Sequence, residues 1–412
     1  MALLIALELA VQAGTGPGGP PADDWRVLTF GRSKLTFYGF LRLDVLYDTA
    51  RMAHPQLGLW VLSKDLPGGD GAAAGRSDFT MHPRLTRFGI DFEGPRVPDI
   101  GEPGLTGKLE IDFYNLLSSV PTSSSNSREF LRLRHAWLKL DWDAFSFLAG
   151  QREDVAAPLS PTPNWDMVMW GAGNPGDRRP QIRPELKAGP ITFTGLIGVT
   201  GAQDNANLDD DPATPGLENA FFDGEASGLP TLQVRMALEA APAGGRPGGT
   251  LGVWAHWSRD ELDVPLAADG DRRFESTAVG LDLTLHLAEW LWIKGELWSG
   301  KNVDDIRGGI FQGVNIATGD EIDAAGGWVE AGFPVLPWYT PVVGVSMDDP
   351  DDTDLTASAA RDLNRVHYVA QRFRFGPVEA GADWMRWKTE YAGGSVRGAV
   401  DHRFSLFFAY HF

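Results

Sequence analysis

Arginine recurs through the first half of this 412-residue chain at spacings suited to the recognition of carboxylates. Arg132 and Arg134 stand two apart in the stretch LRLRHAWLKL (131 to 140), and Arg178, Arg179 and Arg183 follow within six residues of one another. On extended backbone, positions two apart share a face. A guanidinium offers parallel N–H donors that match both oxygens of a carboxylate, so several of them along a wet wall would favour anions. A second reading stands beside this one. Lys108, Glu110 and Asp112 alternate along one face of the preceding segment, and Arg42 shares its face with Asp44. Pairing among these groups would simply satisfy the charges of a wall. The residue types alone support both readings equally.

Other chemistry is poorly represented. There is no HExxH, no GxSxG, no Walker loop and no dinucleotide-binding glycine fingerprint. His135 and His286 each stand alone among strand-like residues and read as ordinary wall groups. The chain has no cysteine, which removes thiol catalysis, disulfide scaffolds and cysteine-based zinc sites. A net charge of −19 argues against nucleic acid. Many of the acids fall in inter-segment stretches, among them Asp209 to Asp211 and Asp348 to Asp354; solvated loop surface is the plain reading and divalent-cation binding the sharper one. No enzyme activity, cofactor or resident metal is expected.

The elements that must carry the arginines are extended. From Lys34 onward, segments of roughly ten residues alternate apolar and polar side chains and are separated by Gly, Pro, Asp and Ser clusters. In Lys34 to Ala50, Leu35, Phe37, Leu41, Leu43, Val45 and Tyr47 oppose Thr36, Tyr38, Arg42, Asp44 and Asp48. The final residues FSLFFAYHF set Phe404, Leu406, Phe408, Tyr410 and Phe412 on one face, and Phe408, Tyr410 and Phe412 read as an outer-membrane assembly signal. About sixteen such segments are predicted. Long connections (51 to 85, 116 to 129, 152 to 180, 202 to 229, 259 to 273, 301 to 325, 348 to 363, 391 to 398) alternate with mostly short ones. That rhythm places all long loops at one rim and both chain ends at the other.

Past the N-terminus no uncharged run approaches the ~18 apolar residues of a membrane helix. A strand of about ten residues tilted by about 45° rises about 23 Å, enough to cross the apolar band of an outer membrane. The fold class predicted is therefore all-β: a closed transmembrane antiparallel barrel with short periplasmic turns, long extracellular loops and a lumen too wide to be filled by side chains. The Pro- and Gly-rich stretch 152 to 180 is the predicted constriction loop, and tryptophans such as Trp254, Trp290, Trp298, Trp338 and Trp387 are predicted to form interfacial girdles. Residues 1–13 read as a signal peptide, 14–33 as a spacer and 34–412 as the barrel.

Several stretches resemble bacterial outer-membrane porins of the DcaP-like group: FYGFLRLDVLYDTA (37 to 50), RLTRFGIDFEGP (84 to 95), GKLEIDFYN (107 to 115), LRLRHAWLKL (131 to 140), FLAGQ (147 to 151) and WGAGNPGDRRPQIR (170 to 183). The second half resembles the group only in rhythm. The resemblance implies a homotrimer of sixteen-stranded barrels passing small anionic solutes, often dicarboxylates, past channel arginines. By position these are Arg132, Arg134, Arg178, Arg179 and Arg183. With Arg42, Lys108, Glu110 and Asp112 from the residue reading, they form the predicted channel lining. The expected surroundings are outer-membrane lipid and lipopolysaccharide of a Gram-negative bacterium, with the barrel assembly machinery engaging the last strand. The alternatives are a barrel enzyme, a plugged structural barrel, or a secreted carbohydrate-binding β protein.

Overall fold

The computed structural model describes residues 26–114, 130–163, 169–200, 223–240, 248–261, 273–315, 317–356 and 360–412. The expected signal peptide, most of the spacer, Trp25, Trp165 and residues 164–168 of the expected constriction lie outside these, as do the acids from Asp204 to Asp211.

One sheet of eighteen strand segments closes on itself. Two segments share one barrel position and one is a terminal arm, which leaves sixteen wall strands. They are β1 (Ser33–Asp48), β2 (Asp78–His82 continued by Arg87–Glu93), β3 (Gly104–Tyr114), β4 (Phe130–Asp141), β5 (Phe145–Glu153), β6 (Arg178–Ala188), β7 (Ile191–Gly198) and β8 (Thr231–Ala240). The second half supplies β9 (Gly249–Glu261), β10 (Arg273–Ala288), β11 (Leu291–Lys301), β12 (Asp323–Gly332), β13 (Tyr339–Pro350), β14 (Arg361–Phe375), β15 (Val378–Tyr391) and β16 (Ala399–His411). Each pairs antiparallel with the next, and β16 returns to β1 through pairs running from Phe40↔His411 to Asp48↔Arg403.

The period-two pattern becomes an inside-out protein. Leu41, Leu43 and Tyr47 are 53%, 45% and 43% exposed on the outer face, whereas Arg42, Asp44 and Asp48 between them are 4%, 2% and 1% exposed. Phe404, Leu406, Phe408 and Tyr410 repeat this on β16, with Ser405, Phe407 and Ala409 buried. An apolar side chain left in water forgoes ~1.5–3 kcal/mol. The exposed Leu, Phe, Val, Ile and Met residues encircle the sheet, so in water that loss would exceed the whole stability of an ordinary domain, ~5–15 kcal/mol. Hydrocarbon is the medium in which this surface costs nothing.

Three details differ from the sequence reading. The first long connection is 49–77, shorter than the predicted 51 to 85, because Asp78–His82 pairs with the upper half of β1. Pro83 cannot donate to the ladder, and β2 breaks there. The Thr86 hydroxyl fills the gap by accepting from Arg42 N at 3.0 Å and donating to Arg42 O. Secondly, Val27–Phe30, inside the predicted spacer, forms a short strand on Ser33–Thr36. It occupies the place beside β1 that β16 vacates where the chain ends, and Arg26 O accepts from Phe37 N there. Thirdly, Trp254, Trp298 and Trp387 are buried inside the barrel, so only part of the tryptophan set, including Trp290 and Trp338, stands at a rim.

The end of the chain is seated on Gly39. Phe412 N donates to Gly39 O at 3.1 Å, and a Cβ on Gly39 would lie 2.8 Å from the Phe412 ring and 2.3 Å from Arg87 O. Gly39→Val is expected to displace the terminal ring and the β1–β2 ladder at a cost of about 1–3 kcal/mol. A refolding series read by heat-modifiable gel mobility should show a lower folded fraction than the parent; equal fractions would contradict this seating.

Candidate functional site

The arginines come together through a fault in the sheet. Register between β3 and β4 runs Glu110↔His135 and then Ile111↔Leu133, so Arg134 is an extra residue on β4. Such a bulge re-aims side chains. Leu131 and Leu133 face outward, while Arg134 and His135 are buried side by side on the inner face. Arg132 grips Asp112 with both arms at 2.7 and 2.8 Å. Arg134 donates to Glu110 at 2.7 Å and to Asp112 at 2.9 Å. Arg87 on β2 reaches Glu110 at 3.4 Å, and the Tyr38 hydroxyl donates to the other Glu110 oxygen at 2.9 Å. Three guanidinium groups thus share two carboxylates, and Arg178 enters beside them from the start of β6, lining the same cavity as Arg132 and Arg134.

Across the lumen the described parts of the loop between β5 and β6, 154–163 and 169–177, are bound inward. At its base Arg179 clamps Asp154 at 2.6 and 2.9 Å and donates to Val199 O and Thr231 Oγ1. Val155 N and Ala156 N donate to Gln233 on β8, and Leu159 N to Glu296 on β11 at 2.7 Å. Thr162 gives both its N–H and its hydroxyl to Glu330 on β12, at 2.9 and 2.5 Å. Two cations hold its carbonyls: Lys294 reaches Ser160 O at 2.8 Å and Arg372 reaches Thr162 O at 2.7 Å.

The returning arm is locked in the same way. Met169 and Ala172 pack with Met52, Val61, Val366, Tyr368, Met385 and Trp387 in one buried cluster. The side chain of Asn364 and the indole of Trp298 bond Gly171 O and Gly173 O at 2.8 and 3.0 Å. Asp177 meets Arg307 in a buried ion pair. Burial pushes the Asp177 carboxyl up, but Arg307 and Arg178 overrule it and hold it below the usual carboxylate range.

Loop and wall leave two polar cavities. One, of about 130 Å³, lies between Arg132, Arg134 and Arg178 and the loop residues from Ala157 to Ser160. The other, of about 360 Å³, is lined by Arg87, Arg134, Ser160–Thr162, Lys294, Arg372 and Glu379. Among the described lining residues four are cationic and one, Glu379, is a carboxylate; behind them Arg372 is paired with Asp383, Lys294 with Glu330, and Arg87 and Arg134 with Glu110. Arg134 borders both.

The predicted residues are divided by this geometry. Arg132, Arg134 and Arg178 border one polar cavity between wall and loop; Glu110 and Asp112 are the counter-ions of Arg132 and Arg134, whereas the acids acting on Arg178 are Asp177 and Glu153. Arg42 does not border it: it is held by Asp44 at 2.7 Å and lies over the Phe407 ring at 3.8 Å, shielded from the lumen. Arg179 is 1% exposed and anchors the loop instead of lining a path. Arg183 turns back to Gln181 and the Glu153 carbonyl, and Lys108 to Asp91 and Tyr38. The alternation of β2 already places Arg87 on the lumen side, although the candidate selectivity set did not include it; Lys294 and Arg372 were not singled out from the sequence. Lys294 alternates with Glu296 and was legible as inward-facing. Arg372 sits on β14, where outward Arg365, His367 and Gln371 blur the alternation.

No family model and no curated protein matches the chain. Solved structures do. The outer membrane channel DcaP of Acinetobacter baumannii superposes with a TM-score of 0.69 at 18% identity, covering 92% of this chain and 97% of that one. The anion-selective porin from Comamonas acidovorans gives 0.57 at 12% identity, covering 92% of this chain and 100% of its own. OprB of Pseudomonas putida gives 0.55 at 10% identity, covering 91% and 94%. What these identities establish is the fold: this chain is a closed sixteen-stranded antiparallel barrel of the kind that outer-membrane channels share.

Proposed function

We propose that the protein is a porin of the Gram-negative outer membrane, a passive diffusion channel for small hydrophilic solutes that prefers anions, carboxylates among them. The cavity in which Arg87, Arg134, Lys294 and Arg372 face Glu379 carries this reading. An anion entering it exchanges water for donors already held in place, so little orienting entropy is lost at the narrowest point. A cation meets the excess positive charge. The solved channel and anion-selective porin of like fold support the same reading, and the inward-bound loop is the feature that sets the width. Association into trimers goes with the reading, and cross-linking in detergent tests it.

Planar-bilayer recording is the decisive experiment: purified protein should insert in discrete conductance steps, and a silent bilayer would favour a plugged barrel. Selectivity has its own test. Arg132→Ala together with Arg134→Ala is expected to lower the anion-to-cation permeability ratio severalfold by reversal potential, because Asp112 loses both guanidinium partners and Glu110 keeps only Arg87 and the Tyr38 hydroxyl. An unchanged potential would remove both arginines from the site. Glu330→Ala takes the acceptor from Thr162 and the partner from Lys294, a loss of about 3–5 kcal/mol for a buried pair. Larger and noisier unitary currents are expected, and parental conductance would show that the loop is held by other contacts.

A further inference from the structure

The outer wall breaks its own rule on β14, β15 and β16. Val366, Tyr368, Trp387 and Thr389 are buried toward the lumen, which puts Arg365, His367, Arg386 and Lys388 on the outer face. Arg365 lies opposite Lys388, and His367 opposite Arg386. His402 on β16 faces Arg386 from the other side. Five basic side chains therefore form one patch across three adjacent strands of a chain whose net charge is −19. Like charges directly opposite one another destabilise a sheet. The like-charged pair here is Arg365 and Lys388; Glu390 compensates Lys388, and Asp349 is the acid that acts on Arg365 from the upper edge, which leaves Arg386 with no carboxylate partner among the described residues.

Its height on the barrel is specific. Just below it, away from the long loops, Trp384 lies opposite Phe404, and Trp384 stacks on His402 with centroids 5.9 Å apart. Below these rings come Ala382, Leu406 and Phe408. Below the acidic edge formed by Glu390 and Asp349 the order is basic side chains, aromatic rings, aliphatic wall. Elsewhere at the same end, outward charges come in opposed pairs, such as Arg259 with Glu275 at 2.6 Å and Arg273 with Glu261 at 3.0 Å. In the patch Lys388 pairs with Glu390, and Asp349 stands exposed at the upper edge. Among the described residues no carboxylate oxygen lies within salt-bridge distance of Arg365 or Arg386, and Arg365 rests on the Met347 sulfur at 3.7 Å.

We propose that this patch binds the phosphate groups of lipopolysaccharide, with the acyl chains lying on the aromatic and aliphatic rows beneath. In barrels of this kind the long loops face the cell exterior, so headgroups at this height belong to the outer leaflet. Clustered basic side chains at a membrane surface recognise phosphorylated headgroups. The order of the rows matches that of a phosphorylated glycolipid read from headgroup to chain end. A second copy of this chain would have to present free carboxylates at the same height, and the outward Glu261 and Glu275 are already paired. The inference rests on the outer-membrane location and not on channel activity.

The test compares the parent with R365A/R386A/K388A in detergent, reading affinity for lipopolysaccharide, dephosphorylated lipid A and phosphatidylglycerol, and the lipopolysaccharide retained through purification by native mass spectrometry. The triple variant is expected to lose at least ~10-fold in affinity for lipopolysaccharide, and the parent to bind the dephosphorylated lipid and phosphatidylglycerol at least ~10-fold more weakly. R365K/R386K keeps the charge and should bind within ~3-fold of the parent, which provides a readout even if the alanine variant fails to fold. Undiminished lipopolysaccharide binding by the triple variant overturns the proposal. So does equal affinity for phosphatidylglycerol, or a change in oligomer mass without lipid loss, which would make the patch a protomer contact. Single-channel conductance of the triple variant should match the parent, so a failure of lipid binding and a failure of the channel reading are told apart.

Discussion

Everything in this molecule depends on the requirement that no backbone N–H or C=O face hydrocarbon unpaired. Each such group costs several kcal/mol where no water can reach it. An open sheet of sixteen strands would present two such edges. The β1–β16 ladder removes both, joining the ends of a chain whose partners lie more than 350 residues apart, as in Asp48↔Arg403. Arg403 and Asp48 reinforce that seam with a buried two-armed ion pair at 2.7 and 2.8 Å. Closure then compels the alternation of side chains to mean lipid on one face and lumen on the other.

A closed barrel of this circumference creates a second problem, because its side chains cannot fill its interior. The connection between β5 and β6 answers it by folding inward, and the wall supplies what that irregular backbone lacks. Carboxylates of Glu296 and Glu330 accept its amides, and cations of Lys294 and Arg372 bond its carbonyls. The same side chains that satisfy the loop also define the space it leaves. Positioning and lining are therefore one network, which is why Lys294 and Arg372 line the cavity beside the loop although neither is in the arginine-rich half of the chain.

The arginine wall shows how a site can stay charged without being unstable. Arg87, Arg132 and Arg134 are desolvated enough to need counter-ions, and two carboxylates serve all three. Full neutralisation would leave nothing for a solute to feel; no counter-ions at all would make the burial prohibitive. Partial compensation holds the groups in place and leaves a positive excess. Wall satisfaction is thus met by the same groups that the proposed solute recognition would use.

Strand positions, the two faces and the loop rhythm were legible in the chain because a period of two in hydropathy is a local property that every strand repeats. Leu41, Leu43 and Tyr47 declared their face through their immediate neighbours alone. The interruption at Pro83 and the burial of Arg42 and Arg179 were decided by partners far away in sequence or by the neighbouring strand. So was the bulge at Arg134: LRLRHAWLKL alternates smoothly until Arg134 and His135, and only pairing with Glu110 and Ile111 makes one of them extra. Alternation assigns a residue to a surface, but which charges on that surface meet depends on register and curvature. Those are set by closure of the whole sheet, a constraint that no single segment contains.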